Sequence, residues 1–297
     1  MPDSSFPKHN VSKPANYYSN IHLHFDLDAH NIFANSQKIA MKQILDLIQT
    51  DNQAVMQNMS GTVVDIGCGT GNMLLMLTKD FTFDHIYGVD LSTEMLDIAK
   101  TKIPNLITIC DSAANIRQHF PKPTVNLLIS HFLFAYIDYK NLLKQFSSIT
   151  QTGSLLSICS TTSNTFAKTK INVIRNLPRT VRLIDFLFKV NSQVTMNEYS
   201  KFMPEDINTL QNEMEQNGYK ILKSENIHFT ITLKTWRDAW GFFHDGSWFV
   251  GVMKQYKINK FKMFLIFSFI KMAGLFKDSN GIFKDDMEVI VITGMKI

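Results

Sequence analysis

Val63–Asn72 reads VVDIGCGTGN, and this stretch decides the fold. A short β-type run, Gly61–Ile66, ends in the glycine turn GCGTG and passes directly into the apolar run Met73–Leu77. The succession is strand, turn, helix. Gly67, Gly69 and Gly71 stand at alternate positions, and glycine both adopts backbone angles closed to other residues and lets main-chain N–H groups approach a ligand. A helix that begins here presents unpaired N–H groups to a negative group such as a carboxylate. The pattern is GxGxG preceded by an acid, related to but distinct from the dinucleotide GxGxxG. Asp65, just ahead of the turn, disfavours a pyrophosphate and can instead receive an ammonium. An amino-acid moiety offers both charges at once. The plain alternative is a tight strand–helix connection with no ligand.

Working outward, His85–Val89 reads as a second strand ending in Asp90. Ser92 then caps a helix carrying Met95, Leu96 and Ile98, which Pro104 closes. Leu106–Cys110 reads as a third strand ending in Asp111, and Val125–Ser130 as a fourth. Leu142–Ile149 is a short helix, after which Gly153 opens a fifth strand, Ser154–Ser160. Strands alternating with helices predict a mostly parallel sheet covered by helices, an α/β architecture. Upstream, residues 1–15 form a loose arm and Ala34–Thr50 carries a helical apolar pattern. Downstream the alternation lapses: Thr161–Met203 reads as an inserted helical segment, lid-like in placement. Pro204 then occupies a first helical turn, and the helix Glu205–Asn217 stops at Gly218. Tyr219–Leu222 is a sixth strand, Leu233–His244 an aromatic helix and Met287–Met295 a closing strand. This predicts a single domain over 1–297: an N-terminal arm and helix (1–60), a cofactor-binding core (61–160), a helical insertion (161–205) and a C-terminal half with substrate-side helices (206–297).

Two further acids follow the glycine turn in order. At the end of the second strand, the Asp90 carboxylate can accept both hydroxyls of a ribose, as in dinucleotide folds. At the end of the third, Asp111 with Ser112 can take the exocyclic amine of an adenine. An acid at a strand end is ordinarily a solvated cap. Three acids in sequence, each at the carboxyl end of a strand, fall on the edge where open α/β sheets bind their ligands.

Composition narrows the field. With 45% hydrophobic and 19% charged residues the chain has an ordinary globular balance, long enough to bury a core without disulfides. Cys68, Cys110 and Cys159 form no CxxC pair, and their odd number argues against a disulfide framework, so a reducing cytoplasm is the expected location. The polar, proline-bearing start lacks a signal-peptide core, and no run approaches the ~20 apolar residues that span a bilayer. A net charge of +4, without long basic runs, gives no support to nucleic-acid binding. Metal-ligand spacings of the HExxH or paired-cysteine kind are absent, and so is a GxSxG nucleophile turn.

Residues Val63–Asn72, together with GVDLSTEML (Gly88–Leu96) and CDSA (Cys110–Ala113), resemble the successive cofactor motifs of the seven-stranded S-adenosylmethionine-dependent methyltransferases. The resemblance covers Ser60–Ser160 and implies a Rossmann-like seven-stranded, mostly parallel sheet. It implies that Asp65 and the backbone of Gly67, Cys68, Gly69 and Gly71 hold the methionine part. Asp90 then takes the ribose, Leu91 and Met95 border the adenine, and Asp111 and Ser112 hold its amine. It also implies that Ser130–Phe134 is the place where cofactor and acceptor meet. The element order after the fifth strand, with the NGYKIL turn and a late helix, is similar to malonyl-carrier-protein O-methyltransferases and to quinone and small-acid methyltransferases. The expected acceptor is accordingly a small molecule or a carrier-bound acyl group, methylated at oxygen.

Since a sulfonium makes the methyl group electrophilic by itself, the protein must chiefly position a nucleophile in line. An anionic acceptor needs no base, whereas a phenol, amine or hydroxyl gains from one. His131, in SHFLFAY at the mouth of the fourth strand, is the candidate base or acceptor contact, with a hydrogen bond to backbone or cofactor as the alternative. Tyr17 and Tyr18 can fold over the cofactor from the arm. Trp236, Trp240, Phe243 and His244 follow helical spacing and form either core or an acceptor wall. The Lys-flanked run Met263–Ile270 predicts a buried helix, with membrane or acyl-chain contact as the alternative. A basic rim for a carrier protein is available in Lys168, Lys170, Arg175, Arg179 and Arg182, or these residues form a solvated face. Two other readings stay open: a catalytically silent cofactor-binding protein on this scaffold, and a nucleotide-dependent oxidoreductase, against which Asp65 and Asp111 both count.

Overall fold

The computed structural model describes residues 32–49, 60–165, 203–242, 258–272 and 283–297. Tyr17, Tyr18, Phe243, His244, the arm and the basic residues of the insertion lie outside them. The seven strands are β1 (Thr62–Ile66), β2 (His85–Asp90), β3 (Leu106–Cys110), β4 (Val125–His131), β5 (Thr150–Thr161), β6 (Tyr219–Leu233) and β7 (Phe283–Lys296). They form one sheet in the order β3-β2-β1-β4-β5-β7-β6. The first five are mutually parallel; β7 runs antiparallel to both β5 and β6.

Alternation of side chains across the pleat divides the core in two. Val63, Leu127, Ile129, Leu155, Val289 and Val291 face one side, where they meet α1 (Ile32–Gln49), α2 (Asn72–Asp80) and α3 (Thr93–Lys102). Val64, Ile66, Leu128, Leu156, Ile290 and Ile292 face the other. Against this second face lie α4 (Ile116–His119), α5 (Tyr139–Ile149) and α6 (Ile207–Gln216). Strands covered on both faces read as continuous apolar runs, which is why β1 and β4 are plain in the sequence.

Each helix start has a local cause. Ser92 caps α3 by accepting the Met95 N–H, Asp138 caps α5, and Asp206 caps α6 through the Thr209 N–H. Such caps are worth about 1 kcal/mol each. The Asp138 cap moves the start of α5 to Tyr139, ahead of the expected Leu142. The Asp206 cap likewise leaves Pro204 before the helix and not in its first turn. The fifth strand begins at Thr150, so Gly153 lies inside it, at φ 84.

The largest departure from expectation is β6. It does not end at Leu222 but continues to Leu233 as an edge strand whose exposed positions hold polar residues. Consequently α7 (Trp236–Trp240) starts only after Leu233, from Thr235, whose hydroxyl and the Asp238 carboxylate form a reciprocal capping box. The β5–β7 ladder ends at Thr161↔Val289, while β6 and β7 stay paired from Ile227↔Val289 to Leu233↔Phe283. A two-stranded ribbon thus rises roughly 20 Å past the carboxyl ends of the parallel strands. It carries α7, which packs on α8 (Lys260–Met272). Trp236 and Trp240 are thereby held on the carboxyl edge of the sheet.

The glycine turn is seated by a missing side chain in the neighbouring strand. A Cβ added to Gly88 would stand 2.9 Å from the Cys68 sulfur and 3.4 Å from Leu106. Gly88→Ala is therefore expected to cost about 1–3 kcal/mol in urea unfolding through overpacking. In combination with Cys68→Ala most of that loss should be recovered, and strictly additive losses would contradict this seating.

Candidate active site

The tips of β1 and β2 and the turn between β1 and α2 form one hydrogen-bonded unit. Both Gly67 and Cys68 donate their N–H to the Val89 carbonyl, at 2.8 and 3.0 Å. Gly69 N–H donates to Asp90 Oδ2 at 3.0 Å, and Ser92 N–H to Asp90 Oδ1 at 2.9 Å. The Asp90 carboxylate therefore ties the turn to the start of α3. Two glycines are required for different reasons. At Gly71 (φ 77) an added Cβ would press on Ala99 of α3 at 3.0 Å, so this position allows helix packing. At Gly69 (φ 52) an added Cβ would meet nothing within 4 Å, so this position faces open space. The turn is closed beneath and open above.

Asp65 lies at the end of this unit, 2% exposed, and its Oδ1 is buried without a hydrogen-bond partner. Burial, reinforced by the charge of Asp90, pushes the Asp65 carboxyl up to about 8. Asp90 is also raised by burial, against which its bonds from Ser92 and Gly69 act. A buried acid with a free oxygen, beside a second acid that is half-buried, makes a site short of positive charge.

At the tip of β2, Leu91 is 50% exposed, an open apolar surface beside Asp90, whereas Met95 is buried in the inner face of α3 at 4%. Beyond β3, the Asp111 carboxylate already binds locally: Oδ1 accepts from Ser112 N–H and Asn115 Nδ2, and Oδ2 pairs with His119 Nε2 at 2.8 Å. The bonds from His119, Asn115 and Ser112 lower its pKa. A carboxylate has about four lone-pair positions, so roughly one is left for a ligand amine. His119 and Asn115 were not evident in the sequence, because their role depends on a short turn that folds back onto Asp111.

His131 ends β4 and is buried at 7% exposure, its Nε2 3.1 Å from Ser157 Oγ and its Nδ1 without a partner. Burial holds its pKa down to about 3, so the ring is neutral. Ser130, fully buried, also has an unpartnered hydroxyl. The β1–β4 and β4–β5 registers place Asp65, His131 and Cys159 on the same face of the sheet, the face that α1 covers. Ser130 points to the other. Immediately after His131, Phe132 takes φ 59, a left-handed conformation that costs a side-chain-bearing residue about 1–2 kcal/mol. It is held there by its N–H bond to the Cys159 carbonyl at 2.7 Å and by an edge-to-face contact with Phe33 of α1 at 4.6 Å. Nothing in the sequence announces this strained turn.

Trp236 and Trp240 of α7 sit apart from this cluster, on the ribbon. Trp236 packs edge-on against Phe264 at 6.0 Å, and Trp240 packs partly buried against the first core. A cavity of about 360 Å³ lies elsewhere again, between α1 and β6, lined by Lys42, Asp46, Lys223 and Glu225. It is remote from the strand tips and has no part in this site. Among the described residues, no group of three His, Cys, Asp or Glu side chains is placed to hold a metal ion.

The Asp65 environment has a consequence for stability. The folded chain holds a proton on Asp65 that the unfolded chain releases near pH 4, so this group's contribution to stability is lost as pH rises from about 4 to about 8. Asp65→Asn should therefore raise the melting temperature by an amount that grows across that window and levels off above it. A gain independent of pH would show that the carboxyl is not titrating there.

Residues 63–153 match the family profile described as a methyltransferase domain. Over 127 residues the chain is 28% identical to trans-aconitate 2-methyltransferase of Azoarcus sp., covering 42% of this chain and 46% of that protein. It is 28% identical over 133 residues to the malonyl-[acyl-carrier protein] O-methyltransferase of Priestia megaterium, covering 43% and 45%. The chain thus spans less than half the length of these curated relatives. A candidate methyltransferase from Bacillus halodurans shares the fold, with a TM-score of 0.52 at 13% identity, over 83% of this chain and 99% of that one. The Val63–Gly153 segment thus resembles a methyltransferase domain, set in a chain whose seven-stranded sheet, ordered β3-β2-β1-β4-β5-β7-β6, shares its fold with the Bacillus halodurans protein.

Proposed function

We propose that this chain is an S-adenosylmethionine-dependent methyltransferase that acts on a carboxylic acid, either a small free acid or a carrier-bound acyl group, at oxygen. The observation that carries the reading is the buried, unpartnered Asp65 Oδ1 behind the open Gly69 turn. An ammonium or sulfonium compound supplies the positive charge this site lacks, and one that also bears a carboxylate finds N–H groups at the start of α2. S-adenosylmethionine is such a compound. When bound, it supplies a methyl group already activated by its sulfonium.

The residues divide the binding as follows. Asp65 and the backbone of Gly67, Cys68, Gly69 and Gly71 hold the amino-acid end, and Asp90 holds the ribose. Leu91 covers the adenine, with Met95 beneath, while Asp111 and Ser112 take its amine. Ser130 and His131 line the mouth of β4, where the acceptor meets the cofactor. Trp236 and Trp240, carried on the ribbon past the strand ends, form the acceptor side. In domain terms, 61–160 is the cofactor-binding core, and β6 and β7 complete the sheet beside it.

His131 narrows the acceptor. A ring held to about pKa 3 is a poor proton acceptor at neutral pH, so a phenol or alcohol gains little from it. A carboxylate is already a nucleophile and requires only alignment and exclusion of water. The acceptors named for two relatives, aconitate and a malonyl group, are carboxylic acids. In this reading His131 is an acceptor contact: neutral, hydrogen-bonded to Ser157, with Nδ1 left to meet the substrate. The weakness of that base equally suits the silent cofactor-binding alternative, and turnover separates the two.

Incubation with S-adenosylmethionine and either aconitate or a malonyl group on acyl carrier protein is expected to yield a base-labile methyl ester and demethylated cofactor. Cofactor binding without turnover on any carboxylic acid would favour the silent reading. Asp90→Ala should weaken S-adenosylhomocysteine binding by about tenfold or more in calorimetry, since hydrogen bonds to a charged group are worth ~1.5–3 kcal/mol. Unchanged affinity would remove Asp90 from the site.

A further inference from the structure

Helix α8, KFKMFLIFSFIKM, is apolar around most of its circumference and contains no acid. Helices of that kind are ordinarily buried on all sides or in contact with lipid. Over residues 260–268 one side only is covered. Met263 is 6% exposed and Phe267 packs against the first core, whereas Phe261 is 66%, Phe264 42% and Leu265 39% exposed. At 100° per residue, the three exposed side chains share one arc, with Lys260 on one flank and Lys262 on the other. The helix is too short to cross a bilayer, and no described helix is long and apolar enough to do so.

The neighbouring helix extends the same surface. Trp236 of α7 lies edge-on to Phe264, with the Arg237 guanidinium 5.2 Å from its ring centre, and Lys260 Nζ lies 5.8 Å from the Trp240 ring. Lys234 is exposed beside them. The acid of α7, Asp238, is engaged by the Lys234 and Thr235 N–H groups. The surface therefore combines exposed aromatic and aliphatic side chains with the cations Lys234, Arg237 and Lys260 at their margins. We propose that this face of α7 and α8 docks the protein on an anionic lipid bilayer. Phe261, Phe264 and Leu265 enter the headgroup–acyl boundary, and the exposed Lys234, Arg237 and Lys260 meet lipid phosphates. A neutral apolar partner would bring these three no opposite charge, whereas an acidic lipid surface satisfies both chemistries at once.

Because the ribbon holds α7 at the carboxyl edge of the sheet, docking would bring the lipid surface to the acceptor side of the molecule. The test is co-sedimentation of the whole protein with vesicles of phosphatidylcholine alone and with phosphatidylglycerol added. Sedimentation is expected with the anionic vesicles and reduced by high salt. Phe261→Ser and, separately, Lys234→Glu with Lys260→Glu should each weaken it about tenfold, with melting temperature unchanged for the serine variant at its exposed position. Equal sedimentation with neutral and anionic vesicles, or wild-type binding by Phe261→Ser, would overturn the proposal. So would a dimer in light scattering that Phe261→Ser converts to monomer in the absence of vesicle binding, which would assign the face to a second copy. S-adenosylhomocysteine affinity is read in parallel, so that loss of docking and failure of the cofactor site are told apart.

Discussion

A buried carboxylate with a free oxygen is costly, and the arrangement at the tip of β1 depends on how that cost is met. Asp65 cannot move to solvent, because β1 is held on both sides, by β2 at Asp65↔Gly88 and by β4 at Asp65↔Ile129. It cannot pair with the nearest charged side chain, because Asp90 carries the same sign and is already committed to Gly69 and Ser92. In isolation the group keeps a proton. A cationic ligand removes the penalty instead, and its binding energy then includes the relief of a strain built into the fold. The neighbouring features serve the same end: the open turn at Gly69 gives the ligand access, and α1 closes the sheet face behind it.

How much of this was legible in the sequence differs by element, for physical reasons. Strands β1 and β4 were plain because each is covered on both faces, and the turn was plain because alternate glycines ahead of an apolar helix admit few other readings. Asp65, Asp90 and Asp111 were found at strand tips because acids there stand out against apolar runs. Strand β6 was largely missed. As an edge strand it carries Lys220, Ser224, Glu225, Asn226 and His228 on positions that face water, a pattern that imitates a loop. The boundary of α7 moved with it, since Leu233 completes the strand and not the helix. Interactions that join distant segments were invisible: His131 with Ser157, Phe132 with Phe33, and the hold of Gln43 in α1 on Thr293 and Val291 in β7.

The site also shows how one residue type can serve opposite ends in different surroundings. Asp111 is ionised and neutralised by donors within its own turn, so it resembles a structural clasp with limited spare capacity. Asp65, with no donor on Oδ1, resembles a socket. His131 is likewise kept uncharged by burial, and its neighbour Phe132 is bent into a left-handed turn that fixes where the chain leaves β4. Asp65, Ser130 and His131, three of the residues with orphaned buried polar atoms, and the strained Phe132 gather at the carboxyl ends of β1 and β4.

The central claim is that the positive charge of the ligand replaces a proton on Asp65. Calorimetric titration with S-adenosylhomocysteine at pH 7, repeated in two buffers of different ionisation enthalpy, measures that exchange directly. With the free carboxyl near 8, release of close to one proton per molecule bound is predicted. Heats that are the same in both buffers would mean that no proton leaves, and that Asp65 does not face the bound charge.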